Sequence, residues 1–294
     1  MAEPAPSAVG SRTGAPRISV VTPSYNLARF LDACLRSVLS QGYPDLEYIV
    51  VDGGSDDGSV DIIKRYGGQL AYSVSEPDGG QYDALNKGFQ RATGDILAWL
   101  NADDMYLPWT LSIVAEIFTA FPDVEWISSL YPLLWNRRGV PGDCRVRTAF
   151  GPGDMLAIQQ ESTFWRRRLW ERVGGRLDTS LSLAADLELW ARFWRVAPLH
   201  GVAVPLAGMR VHADQRSVRH EREILAEAHA VLDRYRRTPP SRLVRAAREA
   251  HRALPPPARR MLARLGLPYR WGGYAARNIR QRDERWCVDE EYVW

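Results

Sequence analysis

Ile96-Leu97-Ala98-Trp99-Leu100-Asn101-Ala102-Asp103-Asp104 is the stretch on which the fold turns. A short apolar run ends abruptly in two adjacent carboxylates, and Pro108 soon follows. In open α/β sheets, ligands bind just outside the carboxyl ends of the strands, where these carboxylates would sit. Two of them side by side repel each other unless a cation is shared between them. Oxygen ligation suits a hard divalent ion, Mn²⁺ or Mg²⁺, completed by phosphates and water. The alternative is a plain strand-to-helix turn, with Asp capping a helix expected over Trp109–Phe118. The stretch alone does not choose between them.

Outward from this strand, strand-like and helical periods alternate. Ile18–Thr22 is a β-branched run closed by Pro23-Ser24-Tyr25-Asn26, and Leu27, Phe30, Leu31, Leu35, Val38 and Leu39 then recur at helical spacing. Tyr48–Val51 and Leu70–Val74 read as strands, and Val60–Tyr66 and Gln81–Ala92 as helices. Such alternation implies βαβ units, a mainly parallel Rossmann-like sheet and right-handed crossovers, an α/β fold. Beyond Pro122, Trp126–Leu130 reads as a strand and residues 131–155 as irregular. Phe164–Val173 and Asp186–Trp194 read as helices, and Val202–Val204 and Met209–Val211 as short closing strands.

Bulk properties narrow the class. The chain has 294 residues, 46% hydrophobic and 25% charged, an ordinary soluble globular composition. No apolar run is long enough for a transmembrane helix. The start, MAEPAPSAVGSRTGAP, has neither a basic head nor an apolar core, so a disordered leader over 1–16 is expected instead of a signal peptide. Cys34, Cys144 and Cys287 are odd in number, far apart and without metal-site spacing, which fits reduced cytosolic thiols. The net charge of +3 hides an asymmetry: residues 1–215 carry −5 and residues 216–294 carry +8. A sign change of this kind points to an anionic partner for the basic part.

The loop Val50-Val51-Asp52-Gly53-Gly54-Ser55-Asp56-Asp57-Gly58-Ser59 looks at first like a phosphate cradle. It lacks Gly-x-Gly-x-x-Gly spacing, and its carboxylates would repel a bare pyrophosphate, so a dinucleotide oxidoreductase is disfavoured. Asp52, directly at the strand end, can accept a hydrogen bond from a nucleobase or a ribose. Asp56 and Asp57 fit an ordinary Asp/Gly turn.

Five segments now occur in order: TPSYN at 22–26, the VVDGGSDDGS loop, SEPDGGQYDALNKGF at 75–89, ATGDILAWLNADD at 92–104 and LAADLELWARF at 183–193. Together they resemble glycosyltransferase family 2, inverting enzymes of GT-A fold that take a sugar from a nucleoside diphosphate. The resemblance spans roughly residues 17–215. It implies that Thr22, Pro23 and Tyr25 line the nucleoside pocket, that Asp52 contacts the base, and that Asp83, Asn86 and Lys87 border the nucleotide. Asn101, Asp103 and Asp104 match the metal-binding carboxylate motif, with Asn101 in place of the commoner first Asp. An amide there adds no charge, so the metal rests on Asp103 and Asp104.

Asp186 falls at the family's catalytic base. A carboxylate opening an otherwise apolar helix is partly desolvated, which raises its basicity, and inverting transfer needs one base to take the acceptor proton. Glu188 lies two residues on. The competing reading makes Asp186 a helix cap and turns Glu188 to solvent. Gln160 and Glu161 match a segment near the sugar and acceptor, and His212 falls where relatives place a polar lid that can ligate the metal or bind phosphate.

The expectation is a GT-A domain over 17–215 followed by an Arg-rich helical extension over 216–294. The function expected is metal-dependent transfer from a nucleotide-diphospho-sugar to an acceptor hydroxyl, in cell-surface polysaccharide or glycolipid assembly. In 242–254, Leu243, Ala247, Ala250 and Leu254 share one helical face opposite Arg245, Arg248 and Arg252. That pattern suits a cytoplasmic protein docked peripherally on the anionic inner face of the plasma membrane, near a lipid-linked acceptor. It equally suits packing on the acidic catalytic domain, and no nucleic-acid motif is present. Two rivals remain. A sugar-nucleotide nucleotidyltransferase would need a basic Gly-rich loop after the first strand, where Pro23-Ser24-Tyr25-Asn26 stands. A non-catalytic nucleotide-sugar scaffold would not need carboxylates at 103, 104 and 186.

Overall fold

The computed structural model describes residues 14–144, 146–151, 154–235 and 274–293, with isolated positions between 246 and 262. The chain begins β1 (Ile18–Ser24), α1 (Ala28–Leu39), β2 (Leu46–Asp52), α2 (Ser59–Tyr66), β3 (Tyr72–Ser75), α3 (Gln81–Arg91) and β4 (Ile96–Trp99). β1 is buried along its whole length and β2 nearly so, as strands covered by helices on both faces must be. β1 pairs in parallel with β2 on one side and with β4 on the other, and β3 adds outside β2. The chain thus steps outward to β3 and then crosses back past β1. The reversal opens a crevice between the carboxyl ends of β1 and β4, where a doubly wound sheet binds its ligand.

Next come β5 (Met105–Tyr106), α4 (Thr110–Ala120), β6 (Trp126–Ser129), β7 (Leu133–Trp135), β8 (Pro141–Cys144), β9 (Thr163–Arg166), α5 (Arg167–Arg172), α6 (Ala185–Val196), β10 (His200–Val202) and β11 (Ala207–Arg210). β9 runs antiparallel between β4 and β6, and β10 continues the sheet parallel to β6. The helix expected over Phe164–Val173 is therefore a strand followed by the short α5. Phe164 and Trp165 are fully buried between neighbouring strands, and that burial overrides the local helical period. β5, β11, β7 and β8 make a second, small sheet.

The chain continues through α7 (Arg216–Arg219), α8 (Glu221–Tyr235), β12 (Tyr274–Arg282) and β13 (Arg285–Val293). The helical expectation for the basic extension is met over Glu221–Tyr235. The acidic and aromatic tail, for which the sequence offers no account, is instead the outer strand of a hairpin that joins the main sheet through β12 and β10. Asp283 and Glu284 turn it with φ of 48° and 62°, the left-handed pair a tight two-residue hairpin requires. The Trp286 indole donates to Glu116 on α4 at 2.9 Å and fastens the hairpin to the body. Of the amphipathic helix expected over 242–254, only positions 246, 249, 250, 253 and 254 are described, so its arginine face at 245, 248 and 252 lies outside the described residues, as does nearly all of the leader. Among the described residues, no helix is long and apolar enough to cross a membrane.

Alternation along the strands divides the core in two. Val21, Leu97 and Trp99 face one layer; Val20, Ile96 and Ala98 face the other. In the first layer Trp99 stacks on Trp190 of α6, with centroids 5.7 Å apart and planes at 9°, and both touch Trp165. α3 lies close on β1 at Gly88, where a Cβ would come within 2.4 Å of Val21. Trp99 precedes the Asn101–Asp104 turn and Trp190 is one turn past Asp186, so this stack fixes the two candidate catalytic segments relative to each other.

Candidate active site

A cleft of about 1510 Å³ opens at the β1/β4 crevice. Its walls include Pro23 near the end of β1 and Tyr25 just after it, Asn101, Asp103 and Asp104 after β4, Gln160 and Glu161 before β9, Asp186 on α6, and His212 after β11. Most of the expected residues therefore converge, although they come from five separate stretches of chain.

The Asn101–Asp104 turn is held from all sides. Asn101 Oδ1 accepts from Gln81 Nε2 at 2.8 Å, and its Nδ2 donates to Gln160 Oε1 at 3.0 Å. Gln160 Nε2 in turn donates to the Trp99 carbonyl at 2.7 Å. Asn101 is thus the node of an amide network, a task that a charged Asp could not perform with both donor and acceptor. Asp104 is buried; its Oδ1 accepts the Arg210 amide at 2.9 Å, which ties the turn to β11. Arg210 also donates from Nε to the Asp103 carbonyl at 2.8 Å. Asp103 presents its carboxylate to His212, with Oδ2 and Nε2 2.9 Å apart.

Two cis ligands of an octahedral ion with bonds near 2.1 Å stand roughly 3 Å apart, and Asp103 Oδ2 and His212 Nε2 have that spacing. Burial, with Asp103 and Glu161 beside it, holds the Asp104 carboxyl well above the usual range, a repulsion that a cation would relieve. Among the described residues no group of three or more potential ligands converges. The fit is that of a Mg²⁺- or Mn²⁺-type site, with few protein ligands and the rest supplied by phosphate and water. Asp104 braces the turn from behind through its bond to the Arg210 amide. Arg29 Nη2 donates toward His212 Nδ1 at 3.4 Å, which leaves the ring proton on Nε2 facing Asp103, so ligation by Nε2 would displace that proton.

Glu161 is 3% exposed, and one of its carboxylate oxygens has no partner among the described residues. Burial, aided by the charges of Asp103 and Asp186, pushes its carboxyl up to about 7. Asp186 is the second residue of α6; the cap position is Ala184, so Asp186 is not the cap. Its carboxylate accepts the Leu187 amide at 2.8 Å. Desolvation raises it to about 6, with a further upward push from Glu227. A carboxylate that titrates near 6 and opens on a cleft is a competent general base at neutral pH.

Other expected residues lie outside the cleft walls. Asp52 is fully buried and accepts hydrogen bonds from the amides of Gly54 and Ser55 and the hydroxyls of Ser55 and Ser75, between 2.6 and 3.2 Å. Its carboxylate shapes the loop. Thr22 is buried against the Tyr48 hydroxyl at 2.9 Å. Asn86 clasps both the amide and the carbonyl of Leu177. Asp83 and Lys87 pair with each other at 3.4 Å, and Lys87 reaches Glu76 at 3.3 Å. Glu188, instead of facing solvent, is buried and bound by the Arg192 guanidinium and the Tyr235 hydroxyl.

Several cleft residues escape a reading by motif. Gln81, at the tip of α3, points to Asn101, whereas Asp83, Asn86 and Lys87 further along the helix do not line the cleft. Arg216 bridges the cleft rim, donating to Gln81 Oε1 at 2.9 Å and to the Ser182 carbonyl at 2.6 Å. Arg29 pairs with Asp214 at 2.6 Å beside His212. In an Arg-rich chain, no local signal separates these arginines from the rest.

Residues 19–132 match the model of glycosyl transferase family 2. An uncharacterized glycosyltransferase of Mycobacterium tuberculosis is 35% identical over 187 residues, covering 61% of this chain and 70% of the relative. A PGL/p-HBAD biosynthesis glycosyltransferase of Mycobacterium bovis is 41% identical over 105 residues, 34% of this chain and 41% of that one. Residues 1–349 of S. aureus TarS, solved with UDP-GlcNAc, superpose with a TM-score of 0.59 at 16% identity, covering 95% of this chain and 99% of that one. The mannosyltransferase PcManGT of Pyrobaculum calidifontis, solved with GDP-Man and Mn²⁺, gives 0.57 at 23% identity, covering 88% and 83%. These two share the fold. With the sheet reversal, the acidic turn after β4 and a relative matched over most of its length, the chain belongs to glycosyl transferase family 2 and is a glycosyltransferase of GT-A fold.

Proposed function

We propose that the protein transfers a sugar, with inversion, from a nucleotide-diphospho-sugar to an acceptor hydroxyl, with Asp186 as general base. The observation that carries this reading is the cleft itself: Asp103, Glu161 and Asp186 open on one cavity, and the last has a carboxyl raised to about 6. Asp186 takes the acceptor proton as the oxygen attacks the anomeric carbon from the face opposite the leaving group. Glu161, with an oxygen free of partners among the described residues, accepts from a sugar or acceptor hydroxyl. Asp103 and His212 would hold Mn²⁺ or Mg²⁺, which when bound offsets the charge on the departing diphosphate. Pro23 and Tyr25 form the nucleoside wall. Thermal-shift screening of nucleotide-sugars with and without Mn²⁺ identifies the donor, because a ligand of the folded state stabilises it. Nucleoside diphosphate release and the anomeric configuration of the product then test the reaction. Full turnover in excess chelator, or a product of retained configuration, would overturn the reading.

The acceptor we propose is lipid-linked, met at an anionic membrane surface. Residues 216–294 carry +8, and each basic residue near an anionic leaflet contributes about 1 kcal/mol. The name of the M. bovis relative, a PGL/p-HBAD biosynthesis glycosyltransferase, is compatible with this acceptor class. Flotation with anionic and with neutral liposomes at low and high salt tests it. Salt-sensitive binding to anionic vesicles alone is expected, and no flotation with either removes the membrane role.

A further inference from the structure

The helix that carries Asp186 has no cap of its own. Its cap position is Ala184, whose side chain offers no acceptor. The amides leading into the helix are instead gathered by a residue distant in sequence, Glu227 of α8. Glu227 Oε1 accepts from Ser182 at 2.8 Å, and Oε2 accepts from Leu183 at 2.6 Å and Ala184 at 2.7 Å. Three consecutive backbone donors on one carboxylate make a charge-assisted clamp. We propose that Glu227 is a positioning residue for the transfer reaction, a clamp in trans that sets where the Asp186 carboxylate stands in the cleft. The inference rests on Asp186 being the base.

The surroundings support a built device over a chance contact. Ala228 and Val231 of α8 are buried against the core layer that contains Trp190. Farther along the same helix, the Tyr235 hydroxyl donates to Glu188, so α8 grips α6 at two points. Arg216 holds the Ser182 carbonyl at 2.6 Å, fixing the same short segment from its other side. The clamp lies in the C-terminal part of the chain, beyond the motifs that define the nucleotide site.

Glu227 also acts through its charge. Among the described residues, the ionisable groups that interact with Asp186 are Tyr82 on α3, Glu161 before β9 and Glu227 on α8, and Arg216 on α7 acts on Tyr82 beside them. Of these, Glu227 contributes to raising the Asp186 carboxyl, after desolvation. Removing that charge therefore lowers the pH at which Asp186 titrates. A purely structural cap would leave this midpoint alone.

The test uses the full-length protein labelled with ¹³C at the aspartate carboxyls, with the Asp186 signal assigned by its loss in Asp186→Asn. Wild type, Glu227→Gln and Glu227→Ala are titrated by NMR. In parallel, nucleoside diphosphate release from UDP-glucose, UDP-GlcNAc and GDP-mannose is followed against pH with Mn²⁺. Glu227→Gln keeps two of the three acceptor contacts and removes the charge; its Asp186 midpoint and the acid limb of its rate profile should move to lower pH. Glu227→Ala should lose roughly 10- to 100-fold in turnover while the thermal shift produced by the nucleotide-sugar is unchanged, because only the base is misplaced. If Glu227→Ala does not fold, the Glu227→Gln titration decides. An unmoved Asp186 midpoint together with wild-type turnover overturns the clamp. Wild-type release by Asp186→Asn is a different failure, since it removes the base assignment itself.

Discussion

Two sets of carboxylates sit within a few strands of each other in this molecule, and they are treated in opposite ways. Those of the loop after β2 are surrounded by donors: Asp52 accepts from two amides and two hydroxyls, and Asp57 accepts from the amides of Ala28 and Ser59. Burial is the largest single influence on the Asp57 carboxyl and pushes it up, but the bonds from Ser59 and Ala28 together outweigh it and hold the group below its usual range. Those of the cleft, Asp104, Glu161 and Asp186, are desolvated, near one another, and raised. A carboxylate saturated by its own chain shapes a loop. One that is buried and left wanting a cation or a proton is available for chemistry. The loop set should therefore register in stability and the cleft set in turnover.

The largest effect is expected at the cation. Asp103→Ala should drop turnover to background, beyond about 10³-fold, with the urea midpoint little changed. Excess EDTA should do the same to the wild type, reversibly on adding Mn²⁺. Retained turnover in both experiments would remove the metal from the cleft.

Asp186→Asn keeps the shape and removes the basicity. Transfer should fall ~10²–10⁴-fold while nucleotide-sugar affinity survives, measured by turnover and by thermal shift. Wild-type transfer would place the base elsewhere, with Glu161 the next group in the cleft.

The cleft set also ties stability to pH, in the direction opposite to activity. Asp186 and Glu161 titrate higher in the folded protein than their ordinary values, so the fold favours their neutral forms. Their contribution is fully present below about pH 4 and is lost as pH rises through about 6 for Asp186 and about 7 for Glu161, on the order of 2 kcal/mol each. Transfer, which needs Asp186 ionised, should instead rise through about 6. Urea melts of wild type and Asp186→Asn between pH 4.5 and 7.5 should converge toward low pH and separate toward neutral, with the variant the more stable at the upper end. Parallel curves would contradict the raised carboxyl.

Smaller effects are expected in the loop. Asp52→Asn places an amide donor among donors and should cost about 1.5–3 kcal/mol in urea unfolding. The family resemblance gives Asp52 a different task, contact with the nucleobase. A shift in preference between uridine and guanosine donors, with unchanged stability, would restore that task and break the contrast drawn here. Asp57→Ala, which removes acceptors at the starts of α1 and α2 on the edge of the cleft, should cost about 1 kcal/mol in urea unfolding.

The sequence by itself determined a good deal. The alternating periods from Ile18 to Leu100 sufficed for a parallel βαβ sheet, because burial on both faces leaves a continuous apolar run that polar loops punctuate. The placement of Asp103 and Asp104 followed from the same logic, since a strand end in such a sheet is a binding edge. Motif order sufficed for the family. Only the tertiary structure decided which polar residues were free. Asp83, Asn86 and Lys87 sit in a motif yet turn to Gly79, Leu177 and Glu76, while Gln81 beside them reaches the cleft. Glu188, two residues from Asp186 and so on another side of α6, is tied up by Arg192. Phe164 and Trp165 became a strand because two neighbouring strands supplied the pairing. Glu227 had no local signal at all, since its three partners lie more than forty residues away. Hydrophobic periodicity is a short-range property that the chain carries with it. The hydrogen-bond saturation of a carboxylate is set by donors brought from elsewhere, and that is known only once the chain has folded around it.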